Sequence, residues 1–122
     1  MKKVNLATAF AQFDDPWNPR IAGELNDCHV KLAKFSGAFD WHHHDQEDEL
    51  FLVVKGTMRM GLRTGDIDVE TGEFLIVPRG TEHRPEALTD ECHVLLLEPK
   101  TTLNTGNIVN ERTRRTLETL AE

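Results

Sequence analysis

What limits the fold of this chain most is how little separates its strand-like runs. From Arg20 onward they follow one another with turn residues between them, and no long helical segment intervenes. RIAGEL and CHVKLAKF flank Asn26-Asp27, a pair suited to a tight hairpin turn. ELFLVVK is continuously apolar between Glu49 and Lys55 and is bounded by charge and by Gly56. TMRMGLR alternates, with Met58, Met60 and Leu62 on one face, and IDVE follows the turn Thr64-Gly65-Asp66. FLIVP and CHVLLLEP complete the series. Parallel α/β architectures need long crossovers between strands, so the pattern disfavours them. It predicts one all-β domain, a barrel or sandwich, in a chain of 122 residues.

The ends read differently. Leu6, Phe10 and Phe13 stand at helical spacing behind Asn5, a candidate N-cap, which predicts a short amphipathic helix. An irregular segment around Trp17 follows, rich in Asp and Pro. Residues 1–19 are therefore read as an N-terminal helix and arm, 20–98 as the β domain, and 99–122 as a C-terminal tail. The tail begins as loop at Asn104, Gly106 and Asn107. A short helix is expected near 110–121, with Leu117 and Leu120 on one side.

ELFLVVK, FLIVP and HVLLL are apolar on both faces, whereas a small sandwich normally wets one face of each sheet. The second face needs a cover, from the N-terminal segment or from a second subunit, and a homodimer is expected. The formal net charge is −7, which disfavours nucleic acid as a partner. Arg112, Arg114 and Arg115 alternate with Glu111 and Glu118 and read as a solvated helix face. No apolar run approaches the ~20 residues that cross a bilayer, so no membrane partner is expected. The N-terminus lacks the pattern of a signal peptide. Cys28 and Cys92 are too few and too isolated for a disulfide scaffold, so reduced thiols and a cytoplasmic location are expected.

Half of the six histidines stand together in WHHHDQEDEL. On an extended backbone His42 and His44 point to one side and His43 to the other. Glu49 shares its parity with Phe51 and Val53, which aims a carboxylate inward at the start of a strand. His83 follows the Pro78-Arg79-Gly80 turn and precedes Pro85, so a rigid loop can aim it too. Three imidazoles and a carboxylate suit one divalent transition metal (Fe, Mn, Ni, Zn or Co) with coordination positions left open. Trp17 and Trp41 are candidate cavity walls, with packing the favoured role for Trp41. Met58 and Met60 read as barrel filling. Asp45, Glu47 and Asp48 read as a solvated mouth, and His29 and His93 as packing or surface.

These residues resemble the cupin superfamily. Its first motif, G-x5-H-x-H-x3–4-E-x6-G, is met by His42-x-His44, Glu49 and Gly56. Its second, G-x5-P-x-G-x2-H-x3-N, is met by Gly72, Pro78, Gly80 and His83. Gly37 stands one residue closer to His42 than the motif asks, and Ala87 replaces the final Asn. The resemblance implies a single-domain jelly-roll β-barrel of six to eight strands with one mononuclear metal site on His42, His44, Glu49 and His83. It also implies a metalloenzyme acting on a small oxygen-bearing molecule, with dioxygenase chemistry slightly ahead of isomerase or lyase chemistry. The alternative is a non-catalytic cupin module that senses a small molecule or a metal. The sequence assigns no catalytic residue.

Overall fold

A computed structural model describes residues 1–121. Its elements run α1 (Leu6–Phe10), β1 (Arg20–Leu25), β2 (Cys28–Phe35), β3 (Glu49–Lys55), β4 (Thr57–Leu62), β5 (Ile67–Glu70), β6 (Phe74–Val77), β7 (His83–Ala87) and β8 (Cys92–Pro99). The strands form a five-stranded sheet, β1-β2-β8-β3-β6, and a three-stranded sheet, β5-β4-β7. Every pairing between these strands is antiparallel. The inward faces of the two sheets meet as a jelly roll. Phe51, Val53, Val94 and Leu96 of the larger sheet pack with Met58, Met60 and Val69 of the smaller in one core. Met58 and Met60 are fully buried, as their alternation predicts.

Seven of the eight strands coincide with runs legible in the sequence. β7, with the sequence HRPEA, is the addition. A proline inside a run argues against a strand because it cannot donate to a ladder. Here β7 lies at the edge of its sheet, and Pro85 presents only its carbonyl to the outer side, where Phe39 N donates to it at 2.9 Å. The edge position removes the conflict.

The outer face of the larger sheet is covered in part by α1. Asn5 caps this helix by accepting from Thr8 N at 3.0 Å. Ala9, Phe10 and Phe13 are buried against Leu32, with Val54, Leu95 and Leu120 packed around them. Phe10 also stacks on His93, centroids 4.6 Å apart, which gives His93 the packing role expected of it.

The C-terminal tail departs from expectation, because no helix forms in residues 110–121. Its polar backbone groups are satisfied by side chains and neighbouring strands instead of an i to i−4 ladder. Asn104 accepts from Arg114 N and donates to Arg112 O, both at 2.8 Å. Asn110 N donates to Thr113 Oγ1, and Leu120 N donates to Ile21 O beside β1. The tail is therefore a strap. It crosses the barrel mouth, where His43 N donates to Asn107 Oδ1 at 2.9 Å and Arg112 donates to Ala38 O.

Candidate metal centre

Four buried side chains converge at one end of the barrel, and local backbone pairing explains how. His42 and His83 exchange two backbone hydrogen bonds, 3.0 and 2.9 Å, across an isolated antiparallel bridge, which brings both imidazoles to one side. Gly80 N donates to His44 O at 2.7 Å and docks the Pro78-Arg79-Gly80 turn against the first histidine segment. Arg79 N donates to Asp48 at 2.8 Å and ties that turn to the start of β3. Glu49 opens β3, opposite Val77. His43 turns outward, 3.0 Å from Asp45, as the alternation requires.

Candidate ligand atoms of His42, His44, Glu49 and His83 all lie within 4.8 Å of one another, and all four residues are buried. His44 Nε2 and His83 Nε2 stand 3.0 and 3.1 Å from Glu49 Oε1. None of these three buried atoms has a hydrogen-bond partner, a costly arrangement unless a cation sits among them. The tautomers suit a ligand role. His42 Nδ1 lies 2.8 Å from Asp40 O, and His83 Nδ1 lies 2.9 Å from Thr81 O. A carbonyl can only accept, so Nδ1 carries the proton and Nε2 keeps a free lone pair. The donor set is three imidazoles and a carboxylate with orphaned atoms at its centre, and it fits a divalent transition metal.

Burial and the neighbouring His83 push the His42 pKa from 6.5 down to about 4, so its imidazole is neutral at pH 7. In the unfolded chain the same ring takes a proton near 6.5. Stability from this group is full above pH 6.5 and is lost as pH falls towards 4, a difference of roughly 3 kcal/mol. Urea unfolding of chelated protein at pH 7 and 4.5 should resolve this loss, and His42→Phe should remove that part of the pH dependence. An unchanged slope in the variant would contradict the shift.

Next to the ligands lies a small cavity of about 40 Å³, lined by Trp17, Phe35, Phe39 and Phe51, with His42, Glu49 and Glu98 on its polar side. Of the two tryptophans only Trp17 reaches it. Trp17 Nε1 donates to Ser36 O, and its ring stacks on Phe35 and Phe39. Trp41 lies instead outside the smaller sheet, over Gly61, with Arg63 3.7 Å and Arg84 5.3 Å from its ring. Glu82 pairs with Arg63, so Glu82 and Arg84 take no part in the cavity.

Two residues of this site escaped the sequence reading. Glu98 at the end of β8 and Lys31 in β2 are both buried, with Lys31 Nζ 2.9 Å from Glu98 Oε1. Burial, reinforced by the carboxylate of Glu49, pushes the Glu98 pKa well above the ordinary range. Burial opposes the charge on Glu49, but the Glu98 carboxyl and the imidazoles of His44 and His83 beside it outweigh burial and hold that carboxyl well below the ordinary range. The parity of the strands held the signal: Lys31 stands in line with Ala33 and Phe35, and Glu98 with Val94 and Leu96.

The cupin-domain family model, Cupin_2, matches residues 29–98, more than half of the chain. The chain belongs to the cupin family. Residues of this cupin are 42% identical over 62 positions to the uncharacterized protein YdbB of Bacillus subtilis, covering 50% of the chain and 55% of YdbB. They are 35% identical over 71 positions to a homogentisate 1,2-dioxygenase of Bradyrhizobium diazoefficiens, covering 53% of the chain but 16% of that enzyme. The chain thus spans about half the length of one curated relative and a small part of the other. Among solved structures, a cupin-2 domain containing protein from Shewanella frigidimarina superposes with a TM-score of 0.77 at 38% identity. That match covers 80% of this chain and 94% of the other.

Proposed function

We propose that this cupin is a mononuclear metal-dependent oxidoreductase of the dioxygenase type, acting on a small oxygen-bearing molecule. The observation that carries the reading is the buried, orphaned set of His44 Nε2, His83 Nε2 and Glu49 Oε1 beside an aromatic-walled cavity. When bound, a divalent transition metal would draw electron density from substrate oxygens and open dioxygen chemistry. The protein supplies the rest. His42 and His83 are held in the tautomer that presents Nε2, Glu49 presents a carboxylate, and the aromatic wall excludes water. The likeness to part of a dioxygenase supports the reading. A sugar-phosphate isomerase reading is less well supported, because the cavity wall carries no Lys or Arg to meet a phosphate. Oxygen uptake by iron-loaded protein, measured with a panel of small phenols, enols and diketones, tests the proposal. Uptake that disappears in Glu49→Gln supports it.

The alternative, a non-catalytic module that senses a small molecule or a metal, is favoured by the size of the cavity. A water needs about 10–15 Å³, so a cavity of about 40 Å³ admits only a few heavy atoms. Quenching of Trp17 fluorescence by a panel member with no oxygen uptake would decide for this reading.

We also propose a homodimer through the outer face of the larger sheet. Helix α1 leaves Phe74 and Ile76 61% and 55% exposed on β6, next to Leu52 and Leu50 in the β3 register. Phe74→Glu with Ile76→Glu should convert a dimer to a monomer in analytical ultracentrifugation, and a wild type that sediments as a monomer would refute it. The free thiols support the expected cytoplasmic location. Cys28 and Cys92 sit at opposite ends of the β2–β8 ladder, and burial pushes the Cys92 thiol to about 11.

A further inference from the structure

We propose that the buried Lys31–Glu98 pair is a positioning device for Glu49, and that it sets the affinity and geometry of the metal centre. The inference rests on the metal reading above. Three antiparallel strands lay the device out in a row. Leu50 pairs with Leu97, so one residue further along, Glu98 of β8 falls opposite Glu49 of β3. On the other side of β8, Lys31 of β2 pairs with Leu96, one step diagonally from Glu98 on the same inward face. Lys31, Glu98 and Glu49 are 2%, 3% and 4% exposed, so none of the three is solvated.

Two carboxyl groups directly opposite one another in a sheet are unfavourable on their own. Lys31 relieves this by donating to Glu98 Oε1 at 2.9 Å, while no nitrogen or hydroxyl donor reaches Glu98 Oε2. The group opposite Glu98 in the register is Glu49, equally buried. One part of Glu49 is thereby held from behind, and Oε1 is left facing His44 and His83. The row runs from an ammonium, through a carboxyl, to a ligand carboxylate.

A fold-only explanation is weak here. A buried ion pair is poor evidence of stabilisation, and replacing both partners together by apolar residues of similar volume is often neutral or stabilising. The next same-face positions, Ala33 of β2 and Leu96 of β8, are apolar and belong to the main core. What the pair does that an apolar pair cannot is hold Glu49. Partners that orient a ligand from behind typically change metal affinity by 10–100-fold when removed.

The test uses the full chain and Co²⁺ as the probe, with affinity from chelator competition and ligand geometry from the visible d–d spectrum. The double variant Lys31→Met with Glu98→Leu should melt at or above the wild-type temperature in the metal-free state, bind Co²⁺ about 10–100-fold more weakly, and show an altered spectrum. Glu98→Gln keeps an N–H to donate to Glu49 and an oxygen to accept from Lys31, so it should restore near wild-type affinity and spectrum. A folded double variant with unchanged affinity and spectrum would overturn the inference and leave the metal reading intact. A double variant that fails to fold would also overturn it, since the pair would then serve the barrel. A wild type that binds no Co²⁺ would overturn both.

Discussion

Tag-free protein purified without added metal or chelator is expected to carry about one equivalent of a divalent transition metal per chain, and Glu49→Ala and His83→Ala are expected to carry essentially none. The expectation follows from the three orphaned atoms at the centre of the group. A cation that binds only the folded chain stabilises it in proportion to saturation, by about 2.7 kcal/mol at a free concentration 100-fold above Kd. Chelation should therefore lower the melting temperature of the wild type and leave those variants unmoved. A second result separates a functional centre from a structural one. His44→Leu removes an unpartnered buried nitrogen, so metal-free His44→Leu should be as stable as the metal-free wild type or more so, while losing the metal. Inductively coupled plasma analysis beside calorimetry measures both quantities. A wild type without metal and with weak affinity on titration would leave the four residues as a motif kept for its strands, and the dioxygenase proposal would fall with it.

The parts of this chain legible in advance are those governed by local periodicity. Alternation placed His42 and His44 together and turned His43 away, because side-chain direction on an extended backbone depends only on parity. The doubly apolar runs announced that the larger sheet needs an outer cover, and α1 and the residues just after it supply part of it through Phe10 and Phe13. What local rules missed depended on tertiary position. Pro85 hid β7, since only its place at a sheet edge makes a proline harmless there. The spacing of Leu117 and Leu120 suggested a helix, but Asn104, Asn110 and Thr113 capture the backbone of the tail and hold it irregular. In the sequence Lys31 and Glu98 are single charges on separate strands. Their meaning required the register that sets β8 between β2 and β3.

The strap can be tested at a single glycine. Gly106 has φ +58°, and a Cβ there would collide with the carbonyl oxygen of His43 and come within 3.1 Å of His42 Cδ2. Gly106→Ala therefore incurs two penalties. An L residue in the left-handed region costs about 1–2 kcal/mol, and crowding a packed site costs about 1–3 kcal/mol more. Gly37 provides the control, because its φ is +65° but a Cβ there meets nothing within 4 Å. Gly37→Ala should show the conformational cost alone. The difference between the two variants in urea unfolding, about 1–3 kcal/mol, then isolates the contact between strap and histidine segment. Metal content should follow the same order. The backbone that Gly106 would push is the one that aims His42, so Gly106→Ala should weaken metal binding and Gly37→Ala should not. Equal stability and equal metal content in the two variants would mean that the strap does not rest on the histidine segment in solution, and the barrel mouth would then be open to larger molecules than a cavity of about 40 Å³ admits.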